Sequence, residues 1–197
     1  MRLLLATHNE HKRREFERLL AGAAGGPIAI DVLERSFELP PEDGETFAEN
    51  ALGKARAAAR ALDRATFADD SGIAAEALGG APGIRSARYA GEDAHDDENL
   101  QKLLREAPAG SGLEYICAIA YVDPAAGVEQ VFEGRCSGRM AERPSGTGGF
   151  GYDPVFLADE VPDGRTMAEL SDEEKDAISH RGRAARELEA WLSLRAG

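Results

Sequence analysis

Positive charge is scarce in this 197-residue sequence: 23 Lys and Arg stand against 36 Asp and Glu, a formal net charge of −13. A general nucleic-acid binder carries the opposite balance, because its affinity comes mainly from Lys and Arg on phosphates, so no nucleic-acid partner is expected. If the ligand is an anion, its positive charge must come from a local pocket or a metal. Cysteine is nearly missing too. Cys117 and Cys136 cannot staple a chain of this size, and each lies among apolar, strand-like neighbours, which reads as a buried reduced thiol. Long hydrophobic runs are lacking: after Met1-Arg2 only Leu3, Leu4, Leu5 and Ala6 precede polar residues. That run is too short for a secretory leader or a membrane span, so a soluble, cytoplasmic protein with no membrane partner is expected. There is no internal repeat, no low-complexity linker and no clean boundary, which predicts a single domain over 1–197, or two small lobes around a shared sheet. The remaining composition, 43% hydrophobic and 30% charged, is that of a globular chain and excludes disordered, collagen-like and coiled-coil classes.

The opening reads as strand, tight loop, helix, strand. Leu3 to Ala6 is a short bulky apolar run. Asn9 is a good N-cap for a helix striped by Phe16, Leu19, Leu20 and Ala23 and ended by Gly22, Gly25, Gly26 and Pro27. Ile28 to Leu33 is a second strand, and the pattern predicts an α/β fold. Thr46-x-x-Glu49 is a capping box for a long helix with an apolar stripe at Phe47, Ala51, Ala55, Ala58 and Leu62. Ala65 to Ala68 is a short strand running into Asp69-Asp70-Ser71-Gly72, and residues 79–93 form a long irregular loop. A helix is predicted from Asn99 to Ala107, then a central strand over Leu113 to Val122 paired as a hairpin with Val128 to Ser137. Pro154 to Leu157 is a brief strand. Ser171-x-x-Glu174 is a second capping box, and Ala184, Leu188 and Trp191 stripe a final helix.

Chemistry concentrates at a few places. Thr7 to Lys12, between a strand and a helix N-terminus, presents backbone N–H groups and the positive end of the dipole, suited to phosphate; plain capping by Asn9 is the simpler alternative. Lys12 in the first turn is unfavourable unless it meets an anion. His8 and His11 have no Cys or His cluster to complete a metal site. Asp69-Asp70-Ser71-Gly72 sits at a predicted strand end, where α/β sheets place ligands, and carboxylates with waters and phosphate oxygens are what Mg²⁺ prefers; an Asx-type turn is the bland alternative. Asn50 and Lys54, four apart, share a helix face that solvent would equally explain. Gly146-x-Gly148-x-x-Gly151 matches a dinucleotide fingerprint by letter but has Tyr152-Asp153-Pro154 where a helix should begin. Its glycines point to a backbone that approaches a ligand closely, with Phe150 and Tyr152 available to stack on a base. Ser179-His180-Arg181 opens the last helix, and the acidic stretch from Glu92 to Glu98 reads as a solvated face.

Together these segments resemble the inosine/xanthosine triphosphate pyrophosphatase family, the HAM1-like, non-standard purine nucleotide pyrophosphatases. The matches are Leu5-Ala6-Thr7-x-Asn9-x-x-Lys12, Thr46-Phe47-x-Glu49-Asn50-Ala51-x-x-Lys54-Ala55, Ala68-Asp69-Asp70-Ser71-Gly72, Gly79 to Ile84 with Ser86-Ala87-Arg88-Tyr89, Gly146 to Pro154, and Ile178-Ser179-His180-Arg181. They stand in family order over nearly the whole chain. His8 departs from the Gly or Asn that the family often carries there.

The resemblance implies an elongated α/β fold of two lobes around a long mixed β-sheet, with the nucleotide in the cleft, as a homodimer. It implies Mg²⁺-dependent hydrolysis of a purine nucleoside triphosphate (inosine or xanthosine) to monophosphate and pyrophosphate. By position, Thr7, Asn9 and Lys12 would hold the triphosphate, with His8, Glu10 and His11 lining the loop. Asp70 would be metal ligand and base, Glu42 a second ligand, and Lys54 would neutralise phosphate charge. Ser71, Phe150, Gly151, Tyr152, Asp153, Lys175, His180 and Arg181 would contact the nucleotide. Inosine and xanthosine present an acceptor at position 6 where adenine presents a donor, so donors such as Arg181 or Lys175 suit the former. A non-catalytic nucleotide sensor is the alternative, but it has little need of carboxylates alongside lysines.

Overall fold

A computed structural model describes residues 1–22, 26 and 28–196. In chain order its elements are β1 (Arg2–Leu5), α1 (Glu10–Ala21), β2 (Ala29–Val32), α2 (Phe47–Leu62), β3 (Thr66–Ala75), α3 (Asp96–Glu106), β4 (Gly112–Asp123), β5 (Val128–Met140), β6 (Phe156–Ala158), α4 (Asp172–Ile178) and α5 (His180–Ala196). The strands form one sheet in the order β2-β1-β3-β4-β5-β6. It is mixed: β1 runs parallel to β2 and β3, whereas β6 is antiparallel to β5. The α/β class is as expected. The chain divides into two compact units, one made of Met1–Asp70, Cys117–Gly134 and the chain from Arg181 on, the other of Ser71–Ile116 and Arg135–His180. No helix among the described residues is long and apolar enough to cross a membrane.

In the first unit, strand alternation sorts side chains onto two faces. Leu3, Leu5, Phe67, Cys117, Ile119 and Tyr121 meet Phe16 and Leu20 of α1 and Ala184, Leu188 and Leu192 of α5. Leu4, Ala6, Ala68, Ala120 and Val122 meet Ala51, Ala55, Ala58 and Ala59 of α2. The alanine face lets α2 lie close to the sheet, which brings its polar residue Asn50 to Asp70 of β3. The second unit has its own core, in which Ile73, Leu103, Tyr115, Met140, Tyr152, Phe156 and Met167 are buried.

Several elements differ from the sequence expectation. β3 does not stop at Ala68; it runs ten residues through Asp69-Asp70-Ser71-Gly72 to Ala75, so these carboxylates stand in mid-strand and not in a turn. Helix α3 begins at Asp96, drawing the acidic stretch into its first turn, where negative charge complements the dipole. The 79–93 segment is partly ordered by a 3₁₀ turn over Gly83–Arg88. Helix α1 ends at Ala21 with Gly22 following; Ala23, Gly25 and Pro27 lie outside the described residues. At α2 the capping box is half formed. The Thr46 hydroxyl accepts from the Glu49 N–H, but the Glu49 carboxylate accepts from Glu45 N–H and not from Thr46. The box at Ser171 is complete.

Candidate active site

Adjacent carboxylates on a strand point to opposite faces, and Asp69 and Asp70 thereby acquire different surroundings. Asp69 shares parity with Phe67 and faces α1 and α5. Its Oδ2 accepts from Lys12 Nζ at 3.0 Å and lies 3.3 Å from a terminal nitrogen of Arg181. Arg181, the largest fully buried side chain among the described residues, also donates to Glu15 Oε2 at 2.5 Å. Burial alone would push the Asp69 carboxyl up, but the charges of Lys12, Arg181 and Lys54 outweigh it and hold the group well below the usual carboxylate range. The same burial, aided by Asp69, pushes the neighbouring Cys117 thiol up to about 12, so it stays protonated and inert, as the sequence implied.

Asp70 shares parity with Ala68 and faces α2. Its Oδ2 accepts from Asn50 Nδ2 at 2.8 Å, and Asn50 Oδ1 in turn accepts from the Gly44 N–H at 2.8 Å. Burial raises the Asp70 carboxyl; Lys12, Lys54 and the Asn50 hydrogen bond pull it back only in part, and the Glu42 charge adds to the rise. Lys54 is ion-paired with Glu42. Burial disfavours the charged Lys54, yet Glu42, Asp69 and Asp70 together keep its ammonium above its ordinary value. Neither Asn50 nor Lys54 is a solvated surface residue; both are buried. The structure thus brings Lys12, Glu42, Lys54 and Asp70 into mutual electrostatic reach.

The Thr7–Lys12 turn is organised by its own side chains. Asn9 caps α1, its Oδ1 accepting from the His11 and Lys12 N–H groups at 2.9 and 3.1 Å, while Thr7 Oγ1 accepts from the Asn9 N–H. Two of the amides suited to phosphate are therefore engaged by the cap, and Lys12 meets its anion within the protein. His8 Nε2 is bonded to the Phe37 carbonyl at 2.8 Å. Glu10 and His11 are exposed at the helix start.

In the second unit the centre is Asp153, 2% exposed. Its Oδ1 accepts from the Tyr115 hydroxyl at 3.1 Å; its Oδ2 accepts from the Phe150 N–H at 2.9 Å and from Lys175 Nζ at 2.7 Å. Lys175 Nζ lies 5.3 Å from the Phe150 ring centre. The ring of His180 stacks on Tyr115. Tyr152 is not available to stack on a base: it is buried in the core, and its hydroxyl donates to the Ser86 carbonyl at 2.7 Å. Gly146 and Gly149, too, approach protein and not an open site, whereas a Cβ on Gly151 would meet nothing within 4 Å. A Cβ on Gly146 (φ 81°) would meet the Ala168 backbone at 2.5 Å, and one on Gly149 (φ 66°) would strike Asp153 Oδ2 at 2.0 Å. Gly151 donates its N–H to Asp96 at 3.1 Å, and Ser71 is half-buried on β3.

Sequence reasoning passed over Glu15 and Tyr115, and named Asp69 only as part of the Asp69-Asp70-Ser71-Gly72 segment without its pairing to Lys12 and Arg181. Glu15 left a signal: it lies four residues before Leu19 and one before Phe16, on the apolar side of α1, where an acid needs a partner. Tyr115 left none, because a tyrosine in a buried strand is ordinary core.

The family model of the Ham1 family matches residues 3–191. The chain belongs to the Ham1 family. It is 46% identical to a dITP/XTP pyrophosphatase of Geobacillus kaustophilus, over 99% of this chain and 96% of that protein. It is 49% identical to the dITP/XTP pyrophosphatase of Symbiobacterium thermophilum, over 98% and 96%. Among solved structures, the Ham1 protein of Staphylococcus aureus superposes with a TM-score of 0.83 at 37% identity, covering 99% of this chain and all of that one. Ham1 membership matches the resemblance drawn from the six motifs, and the mixed sheet is that family's.

Proposed function

We propose that this Ham1 chain hydrolyses non-standard purine nucleoside triphosphates (inosine and xanthosine types) to the monophosphate and pyrophosphate, with residues 1–197 working as one pyrophosphatase domain. The observation that carries this reading is Asp70: a buried carboxyl on a strand, anchored by Asn50 and flanked by Lys12 and Lys54. The names of the relatives support the same substrates. A binding protein without turnover would have little need of carboxylates alongside the lysines.

Breaking a phosphoanhydride needs charge neutralisation, an aligned water and little covalent chemistry. In this reading Lys12 and Lys54 neutralise charge developing on phosphate oxygens, and Thr7 and Asn9 shape the turn that receives them, lined by His8, Glu10 and His11. Asp70 aligns the attacking water and takes its proton. Asn50 fixes which oxygen of Asp70 points to the reaction.

Mg²⁺ suits the donors present. Among the described residues no group of three or more His, Cys, Asp or Glu forms a ready cage. Mg²⁺ needs none, since it binds through one or two carboxylates plus waters and substrate phosphates. Glu42 and Asp70 would hold it. When bound, the ion supplies positive charge to the phosphates.

For the base, Phe150 offers a face, and Lys175 and His180 offer donors for an acceptor at position 6; Ser71, Gly151, Tyr152 and Asp153 complete the set by shape. Arg181 acts more through Asp69 and Glu15, which hold both its terminal nitrogens. We place the enzyme in the cytoplasm as a homodimer acting on free nucleotides, without nucleic acid or membrane.

The test is selectivity. Purified protein with Mg²⁺ is expected to act on dITP and XTP far faster than on dATP, and a chelator is expected to stop it. Equal rates on all three overturn the base assignment. A second expectation concerns Lys54→Ala. Its turnover is expected to fall at least about a hundredfold, ~2.7 kcal/mol of barrier. Because Glu42 would lose its buried partner, a stability loss of about 1–3 kcal/mol should accompany it. Kinetics on the folded fraction, with urea unfolding alongside, separate the two; unchanged turnover per folded molecule would make the lysine purely structural.

A further inference from the structure

Tyr115 touches or steers most of the base-facing residues of the second unit, yet no motif contains it. It lies on β4, on the face shared with Leu113 and Cys117, and is 6% exposed. Its hydroxyl donates to Asp153 Oδ1 at 3.1 Å. Through the other carboxylate oxygen, Asp153 holds Lys175 Nζ at 2.7 Å and the Phe150 N–H at 2.9 Å. The phenol ring also lies against His180, with ring centroids 4.5 Å apart and planes 6° from parallel, and against Phe156 at 4.5 Å. Lys175, Asp153 and His180 are each no more than 5% exposed.

A carboxylate can rotate about its Cβ–Cγ bond, and each donor on a different oxygen removes part of that freedom. With Tyr115 on Oδ1 and both Phe150 N–H and Lys175 on Oδ2, the carboxylate plane of Asp153 is fixed, and with it the direction of the lysine ammonium. The stack fixes the plane of the histidine ring independently. One side chain therefore sets the orientation of both candidate donors to the base.

We infer that Tyr115 is a specificity-positioning residue, aligning Lys175 through Asp153 and His180 through its ring so that they meet a purine with an acceptor at position 6. This rests on the reading of the second unit as the base-recognising part. Tyr115 itself touches no reacting atom. Deleting its hydroxyl loosens Lys175 while leaving the phosphate machinery of the first unit unaltered.

The experiment compares wild type with Tyr115→Phe, which keeps the ring and the stack. Dissociation constants of dIMP and dAMP are measured by calorimetry without added metal, so the readout does not depend on hydrolysis. The preference for dIMP is expected to fall about fivefold or more in Y115F, the scale of one misdirected hydrogen bond to a charged group. In steady-state assays KM for dITP is expected to rise by a similar factor with kcat within about twofold, the pattern of lost binding and not lost chemistry. Unchanged preference and KM overturn the inference. So does a Y115F protein that does not fold, since the hydroxyl is then a folding requirement. A second variant carries 3-fluorotyrosine at 115, which retains the donor, and is expected to behave as wild type. A selectivity loss there equal to that of Y115F would assign the effect to ring packing and also overturn it. If the hydrolase reading alone is wrong, wild type releases no pyrophosphate while the calorimetric contrast persists.

Discussion

Asp70→Asn is expected to lower turnover of dITP about a thousandfold, roughly 4 kcal/mol of barrier, while leaving the protein at least as stable as wild type at neutral pH. The kinetic half follows from the role of the carboxylate: an amide neither takes a proton from water nor supplies a charged ligand to a cation. The stability half follows from linkage. Burial places the folded-state Asp70 carboxyl above its ordinary value of 3.8. A carboxyl raised on folding contributes stability only in its protonated form, below its unfolded value, and that contribution is lost as pH rises through the folded value. At pH 7 the ionised group is therefore a cost that an asparagine removes, and the Asn50 amide can still donate to the new side-chain oxygen. Loss of activity with a maintained or raised melting temperature is the signature of a residue kept for chemistry at the expense of stability. A destabilised mutant with normal turnover per folded molecule would make Asp70 a structural strand residue.

Its neighbour is expected to behave in the opposite way. Asp69→Ala withdraws the carboxylate from Lys12 and Arg181, leaving buried cations short of a counter-charge. Removing one partner of a buried ion pair costs about 3–5 kcal/mol, which in a chain of this length lowers the melting temperature by roughly 10 °C. The pH dependence carries the opposite sign to that of Asp70. Asp69 is held below 3.8 in the folded state, so its stabilising contribution is complete above the unfolded value and is lost as pH falls below it toward the folded value. Wild type should lose stability in acid below about pH 4, and Asp69→Asn should show a shallower decline over the same window. Urea unfolding at a series of pH values measures both slopes; parallel slopes would show that Asp69 is not held by its cations.

These two adjacent residues also mark how far the sequence could be read. The α/β class and helices α1, α2, α3 and α5 were visible, with the Ser171 capping box marking the start of α4, because capping residues and apolar spacing are local signals; the grouping of Thr7–Lys12, Lys54 and Asp70 as one chemical set came only from the family resemblance. What separates Asp69 from Asp70 was not visible. A strand interrupted by two carboxylates reads locally as its own end, whereas in β3 they are met by partners distant in the chain, Lys12 and Arg181 at Asp69 and Asn50 at Asp70. The same blindness to distant partners made Asn50 and Lys54 look like a solvated pair. It also made the glycines of residues 146–151 look like a ligand cradle, when Gly146 and Gly149 are fitted against the protein's own Ala168 and Asp153. Tyr152, by its type a candidate for base stacking, is held in the core by its contact to Ser86.

Product identity tests the central claim most directly. Purified protein is incubated with dITP and Mg²⁺, and nucleotide and phosphate products are resolved by anion-exchange chromatography. The expected result is dIMP and pyrophosphate in equal amounts, with no dIDP or orthophosphate, and nearly complete loss of both in Asp70→Asn. Release of orthophosphate with dIDP, or no turnover of dITP by the folded wild-type protein, would contradict it.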